Sequence, residues 1–230
     1  MNRTSGWTVV CSAALLLAGC GGGGNSSGFV PVTGAASSTT PASSEPAAAP
    51  KVSVDDLPAG SYIVSTGDAA APTVGKYYAG ADGSRLLVLG DGDDRAKHAY
   101  RRDAGRAWVG VPIPDKDVTV TLLQSKAILD AGVERAALAG SYRTRTTAGV
   151  VADFSLTAEG VIVAGGSACK LSGKLSAGVL PNTLKLSLAA STDACGGLPA
   201  TASGVLAFDT DYAPATFRLL ADNGSQLVDL

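Results

Sequence analysis

The chain of 230 residues carries 18 Lys and Arg against 20 Asp and Glu, a formal net charge of −2. That balance excludes the basic footprint on which nucleic-acid binding rests. A single histidine, His98, leaves little for imidazole catalysis or for a histidine-rich metal centre.

Residues 1–19 read as a secretory signal. Arg3 supplies the positive start, an apolar run extends from Trp7 to Ala18, and small residues precede a cysteine. About a dozen apolar residues is too short to span a hydrocarbon core, which takes roughly 20. The stretch Leu17-Ala18-Gly19-Cys20 resembles the lipobox of bacterial lipoproteins. The resemblance implies that Cys20 is diacylated on its thiol, that the signal is cut off before it, and that the new amino group is acylated in turn. Several acyl chains hold a protein on a bilayer where one does not, so the lipid bilayer is the first expected partner. In such lipoproteins an aspartate after the cysteine favours inner-membrane retention. Gly21 stands there instead, which implies a lipid-anchored outer-membrane address, facing the periplasm or the surface. Residues 20–50 are then dominated by Gly, Ala, Ser, Thr and Pro, with Glu45 the only charge, and predict a disordered tether. Treated as a flexible chain, it has an end-to-end distance on the order of 30 Å.

From Lys51 onward, alternating apolar and polar residues are broken by Gly, Asp and Asn, the pattern of an all-β protein. In Leu184-Lys185-Leu186-Ser187-Leu188 the leucines share one face of a strand, and Val118–Leu122, Phe154–Leu156 and Leu171–Leu175 keep the same period of two. Ala81-Asp82-Gly83, Ala158-Glu159-Gly160, Pro181-Asn182 and Asp222-Asn223-Gly224 suit tight turns between strands. Short strands at this spacing predict an antiparallel sandwich or small barrel. We expect two β-rich halves, residues 51–125 and 140–230. A short helical connector over 126–139 joins them, its helix running from Val133 to Leu138.

With Cys11 in the signal and Cys20 lipidated, Cys169 and Cys195 remain in the folded part. Export places them in an oxidising compartment, where such a pair is most simply a disulfide, a metal pair and a redox pair being the alternatives. A disulfide closing this loop stabilises by roughly 3.5 kcal/mol in the chain-entropy model. The C-terminal half also resembles a group of β-proteobacterial lipoproteins. The resemblance is carried by Leu138-Ala139-Gly140-Ser141-Tyr142, Ala158–Ile162, Ser167-Ala168-Cys169-Lys170-Leu171-Ser172-Gly173, and Cys195 followed by Ala202–Ala207. It supports the disulfide and the β fold and carries no activity over to this chain.

Catalytic signatures are missing. From Lys51 onward there is no Gly-x-Ser-x-Gly elbow, no His-Glu-x-x-His, no phosphate loop of the Walker type and no dinucleotide fingerprint. His98 lies in the polar stretch Arg95–Arg102. Asp91-Gly92-Asp93-Asp94 suggests a calcium loop, yet Arg95 and Arg102 fall at the fifth and twelfth loop positions, where an EF-hand needs a ligand and a bidentate Glu, and a hairpin turn is the simpler reading. Arg101, Arg102, Arg106, and the pair Arg143 and Arg145 on one strand face form a candidate patch for an anionic partner. Neither a cofactor nor a bound metal is expected. The reading is a membrane-anchored envelope protein acting as a non-enzymatic binding or structural module. It would engage an envelope or host protein, or a small ligand within the β fold, and an accessory envelope hydrolase is the alternative.

Overall fold

The computed structural model describes residues 49–130, 132, 134–209 and 216–230. The expected signal and Cys20, with nearly all of the expected tether, lie outside them. The fold is all-β, and every ladder but one is antiparallel. The N-terminal half contains β1 (Val52–Val54), β2 (Gly60–Asp68), β3 (Ala71–Ala79), β4 (Arg85–Gly90), β5 (Ala96–Arg102), β6 (Val109–Val111), β7 (Val118–Val120) and β8 (Leu122–Ile128). Six of these form one sheet in the order β6-β5-β4-β3-β2-β8, and β1 pairs with β7 in a small parallel ribbon.

The central strands of this sheet are covered on both faces, which their sequence requires. The run Leu86-Leu87-Val88-Leu89 in β4 has no polar side to turn to water. In β3 the successive Tyr77 and Tyr78 are 0% and 1% exposed on opposite faces. Tyr77, Leu87, Leu89 and Tyr100 pack with Val54 and Val120 of the ribbon. Tyr78, Leu86, Val88 and Ala99 pack instead with Val205, Ala207 and Leu220 of the C-terminal half.

Two local expectations are corrected. The expected strand Val118–Leu122 divides at Thr121, because Val118–Val120 pairs with β1 whereas Leu122 onward pairs with β2. At the crossing, the Thr66 hydroxyl donates to the Thr121 carbonyl at 2.8 Å, and the Leu122 N–H donates to Asp55 at 2.8 Å. The expected connector over 126–139 also starts too early. Lys126, Ala127 and Ile128 complete β8 opposite Ile63, Tyr62 and Ser61, so ladder pairing overrides their helix propensity. The helical element is a single 3₁₀ turn, Arg135–Leu138, which buries Leu138.

The C-terminal half contains β9 (Gly140–Arg145), β10 (Val151–Leu156), β11 (Val161–Ala164), β12 (Leu171–Ala177), β13 (Thr183–Ala190), β14 (Thr201–Phe208), β15 (Phe217–Asp222) and β16 (Leu227–Asp229). Each strand pairs with the next, giving one eight-stranded meander. The four turn sequences fall at its hairpins and at the β3–β4 hairpin. Alternate residues, among them Phe154, Ile162, Leu175, Leu186, Leu206 and Leu219, enter a single core. Tyr142 on β9 stacks with Phe154 and meets Phe217 on β15 edge to face. The sheet thus coils until its first and seventh strands share side chains, yet no ladder joins β9 to β16 among the described residues. It is a half-closed barrel. Two glycines permit the coiling. A Cβ on Gly173 or Gly204 would lie 2.1 Å from the carbonyl oxygen of Ser187 or Leu220, so any side chain there drives neighbouring strands apart.

Cys169 and Cys195 form a disulfide with Cα atoms 4.5 Å apart, closing 26 positions of chain. Both are fully buried in the barrel core, and the bond ties the approach to β12 to a 3₁₀ turn, Asp193–Cys195, between β13 and β14.

Candidate functional site

The junction between the two halves has an apolar centre and a polar margin. Lys76 pairs with the buried Asp209, Arg101 pairs with Asp222 at 3.2 Å, and the Asn182 side chain donates to the Ser61 hydroxyl at 3.3 Å and to the Leu129 carbonyl at 3.2 Å. Arg218 on β15 grips both carboxylate oxygens of Asp229 on β16 and donates to the Asp94 carbonyl. Asp229 in turn accepts the Ala96 N–H at 2.7 Å. These contacts lock the β4–β5 hairpin onto the last strands of the barrel.

Beside this junction, where β9 fails to reach β16, lies a cleft of about 610 Å³. One wall is the six-stranded sheet, with Ile63, Val74 and Lys76, together with Arg95 of the β4–β5 hairpin. The other is the barrel seam, with Arg145, Phe217 and Arg218. Four cations therefore border it, and their partners divide them. Lys76 and Arg218 are engaged by Asp209 and Asp229. Arg95 and Arg145 are exposed and pair with no carboxylate among the described residues. Arg145 makes one long contact, 3.4 Å, to the Gly149 carbonyl. Two arginines at the margin of a cleft lined also by Asp94, Asp229 and apolar side chains carry the donors that a carboxylate, sulfate or phosphate takes in charge-assisted, bidentate hydrogen bonds.

The residues singled out from the sequence scatter. Arg143 and Arg145 do share the outer face of β9, but only Arg145 borders the cleft, and Arg143 is held by Asp153 across the strand pair at 2.7 Å. Arg101 is used by Asp222. Arg102 pairs with Asp56 at 2.8 Å and lies over the Trp108 ring, 5.0 Å from its centroid. Arg106 sits on the exposed β5–β6 turn, apart from the others. Burial opposes ionisation of Asp56, yet hydrogen bonds and charge from Arg102 and Arg85 outweigh it and hold the carboxyl at about 2. Burial and the nearby Asp56 charge push the Tyr77 hydroxyl up to about 12. This cluster fastens the chain after β1 to the sheet. His98 lies exposed on β5, its pKa lowered by partial burial and by Lys97, with no hydrogen bond to a serine or carboxylate among the described residues. In the Asp91 loop the carboxylate accepts the N–H groups of Asp93 and Arg95, each at 3.0 Å, and lies below its ordinary pKa for that reason. Its oxygens serve the hairpin turn. No cluster of three metal-ligating side chains occurs among the described residues.

Lys76, Arg95 and Arg218 escaped the sequence reading. They lie on three different elements, and only the strand pattern that places Lys76 on the same face as Tyr78 hints that its amino group needs a partner. No family model, curated protein or solved structure matches this chain.

Proposed function

We propose that this chain is a lipid-anchored protein of the bacterial outer membrane that acts as a non-enzymatic binding module, its ligand held through anionic groups in the seam cleft. The observation that supports this most is the pair Arg95 and Arg145, two guanidinium groups at one cleft without a carboxylate partner. An apolar floor with a few convergent polar groups is the usual composition of a ligand site. Anchoring rests on the lipobox ending at Cys20, with the following residues holding the domain near, but off, the bilayer.

Three measurements test the reading. Incorporation of a labelled fatty acid should require Cys20, and label retained in Cys20→Ala would remove the anchor. Sulfate and succinate should raise the melting temperature of the wild-type protein and not that of Arg95→Ala/Arg145→Ala. Equal stabilisation of the two proteins, or of neither, would remove the cleft. A panel of esterase, peptidase, glycosidase and phosphatase substrates should show no turnover, and turnover abolished by His98→Ala would make the protein a hydrolase.

A further inference from the structure

The seam leaves a strand edge open beside the cleft. Strand β9 pairs with β10 alone and β16 with β15 alone, so the outer edges of the meander have no ladder partner among the described residues. On such an edge every second residue directs its N–H and C=O away from the sheet, ready to pair with another extended chain. The edge is accessible, since Ser141, Arg143 and Arg145 are exposed, while Tyr142 and Thr144 alternate with them toward the barrel.

We propose that β9 accepts an extended acidic peptide as an added strand, with Asp or Glu side chains of that peptide placed beside Arg143 and Arg145. The inference rests on the binding role assigned to the seam and names the class of its partner. Charge selects the occupant. Within the sheet, Arg143 stands opposite Asp153 and is paired with it, whereas Arg145 stands opposite Val151, which offers it nothing. The position at which a carboxylate would neutralise Arg145 is therefore on the other side of β9, where a neighbouring strand is lacking. Directly opposed residues on adjacent strands have Cβ atoms roughly 5 Å apart, within reach of an Arg-carboxylate pair. A second copy of β9 would set arginine against arginine, and like charges so opposed are destabilising. The same charges that prevent self-addition favour an acidic partner.

The added strand also has a defined pattern. Residues beside Arg143 and Arg145 face outward with them, and the residue between follows Tyr142 and Thr144 toward the seam, where Tyr142 meets Phe217. The preferred segment is thus acidic-apolar-acidic, with a β-branched or aromatic residue at its centre. Main-chain hydrogen bonds supply affinity and the arginines supply selectivity.

The test uses the full-length protein in detergent and a fluorescein-labelled nonapeptide alternating Glu with Val and Thr, read by anisotropy. Saturable binding is expected, weakened about tenfold or more by Arg145→Glu, a loss of at least about 1.4 kcal/mol. A matching Lys peptide should prefer the Arg145→Glu protein to wild type, which shows that the variant is folded. A Glu peptide N-methylated at alternate residues should not bind, and amide exchange of β9 should slow only with the unmodified peptide. No binding at about 1 mM peptide would overturn the proposal. So would equal binding by Arg145→Glu or by the N-methylated peptide. Sulfate and succinate serve as a separate arm. If they bind through Arg95 and Arg145 while the peptide does not, strand addition fails and the cleft stands. If neither binds, both fail.

Discussion

Tyr142 and Phe217 meet edge to face with ring centroids 4.9 Å apart, although one lies on the first strand of the eight-stranded sheet and the other on the seventh. The contact closes the barrel core at a seam that hydrogen bonds leave open. Its consequence is a division of labour, in which side chains hold the two ends of the sheet together and backbone groups along the edge stay available.

Truncating Phe217, which is buried, should cost about 3–5 kcal/mol, as for other core aromatics. Tyr142→Phe should cost less, losing only the hydroxyl bond to the Leu138 carbonyl at 2.8 Å. Urea midpoints would check the order, and equal losses for Phe217→Ala and Tyr142→Phe would contradict a ring-built seam.

Lys76 and Asp209 join the two halves, with Asp209 only 6% exposed. Removing one partner of a buried pair costs about 3–5 kcal/mol because the other charge is stranded, whereas replacing both can be neutral. Asp209→Ala should therefore be more destabilising than Asp209→Ala/Lys76→Met. A double-mutant cycle in denaturant measures the difference, and strict additivity would show that the pair is not coupled.

The disulfide between Cys169 and Cys195 should be structural. Replacing both by Ser is expected to lower stability by roughly 3.5 kcal/mol in the chain-entropy model. Calorimetry with and without reductant should show that reduction destabilises the wild type and leaves the double variant unmoved.

Acid stability should carry a contribution from Asp56. Its carboxyl is held at about 2 in the folded chain against an ordinary 3.8, so the unfolded state takes up its proton first as pH falls. The stabilisation is complete above about 3.8 and disappears as pH drops from there to about 2. Asp56→Asn should be less stable than wild type at pH 6 and should lose less between pH 5 and pH 2. Parallel acid limbs in thermal melts of the two proteins would show that Arg85 and Arg102 do not act through this carboxylate.

The all-β class, the two halves and most turns were legible because they rest on local rules. Strand periodicity, as in Leu184-Lys185-Leu186-Ser187-Leu188, states which side chains must be buried, and Asp-Gly and Asn-Gly pairs mark where the chain reverses. The pairing of Cys169 with Cys195 was likewise the simplest arrangement of the two thiols left in the folded part. What no local rule contains is the partner on the far side of a strand. Lys126–Ile128 carry helix-forming residues and became the end of β8, because β2 lay alongside with an open ladder. Arg101, Arg102 and Arg143 look like free cations in the sequence, and Asp222, Asp56 and Asp153 claim them only once the strands are assembled. Arg145 and Arg95 come to border one cleft because the meander coils and a second sheet packs across its seam. Charge alternation on β9 was written in its sequence, but that β9 would be an unpaired edge was decided by strand pairing across the whole sheet, a non-local balance of backbone hydrogen bonds and core packing.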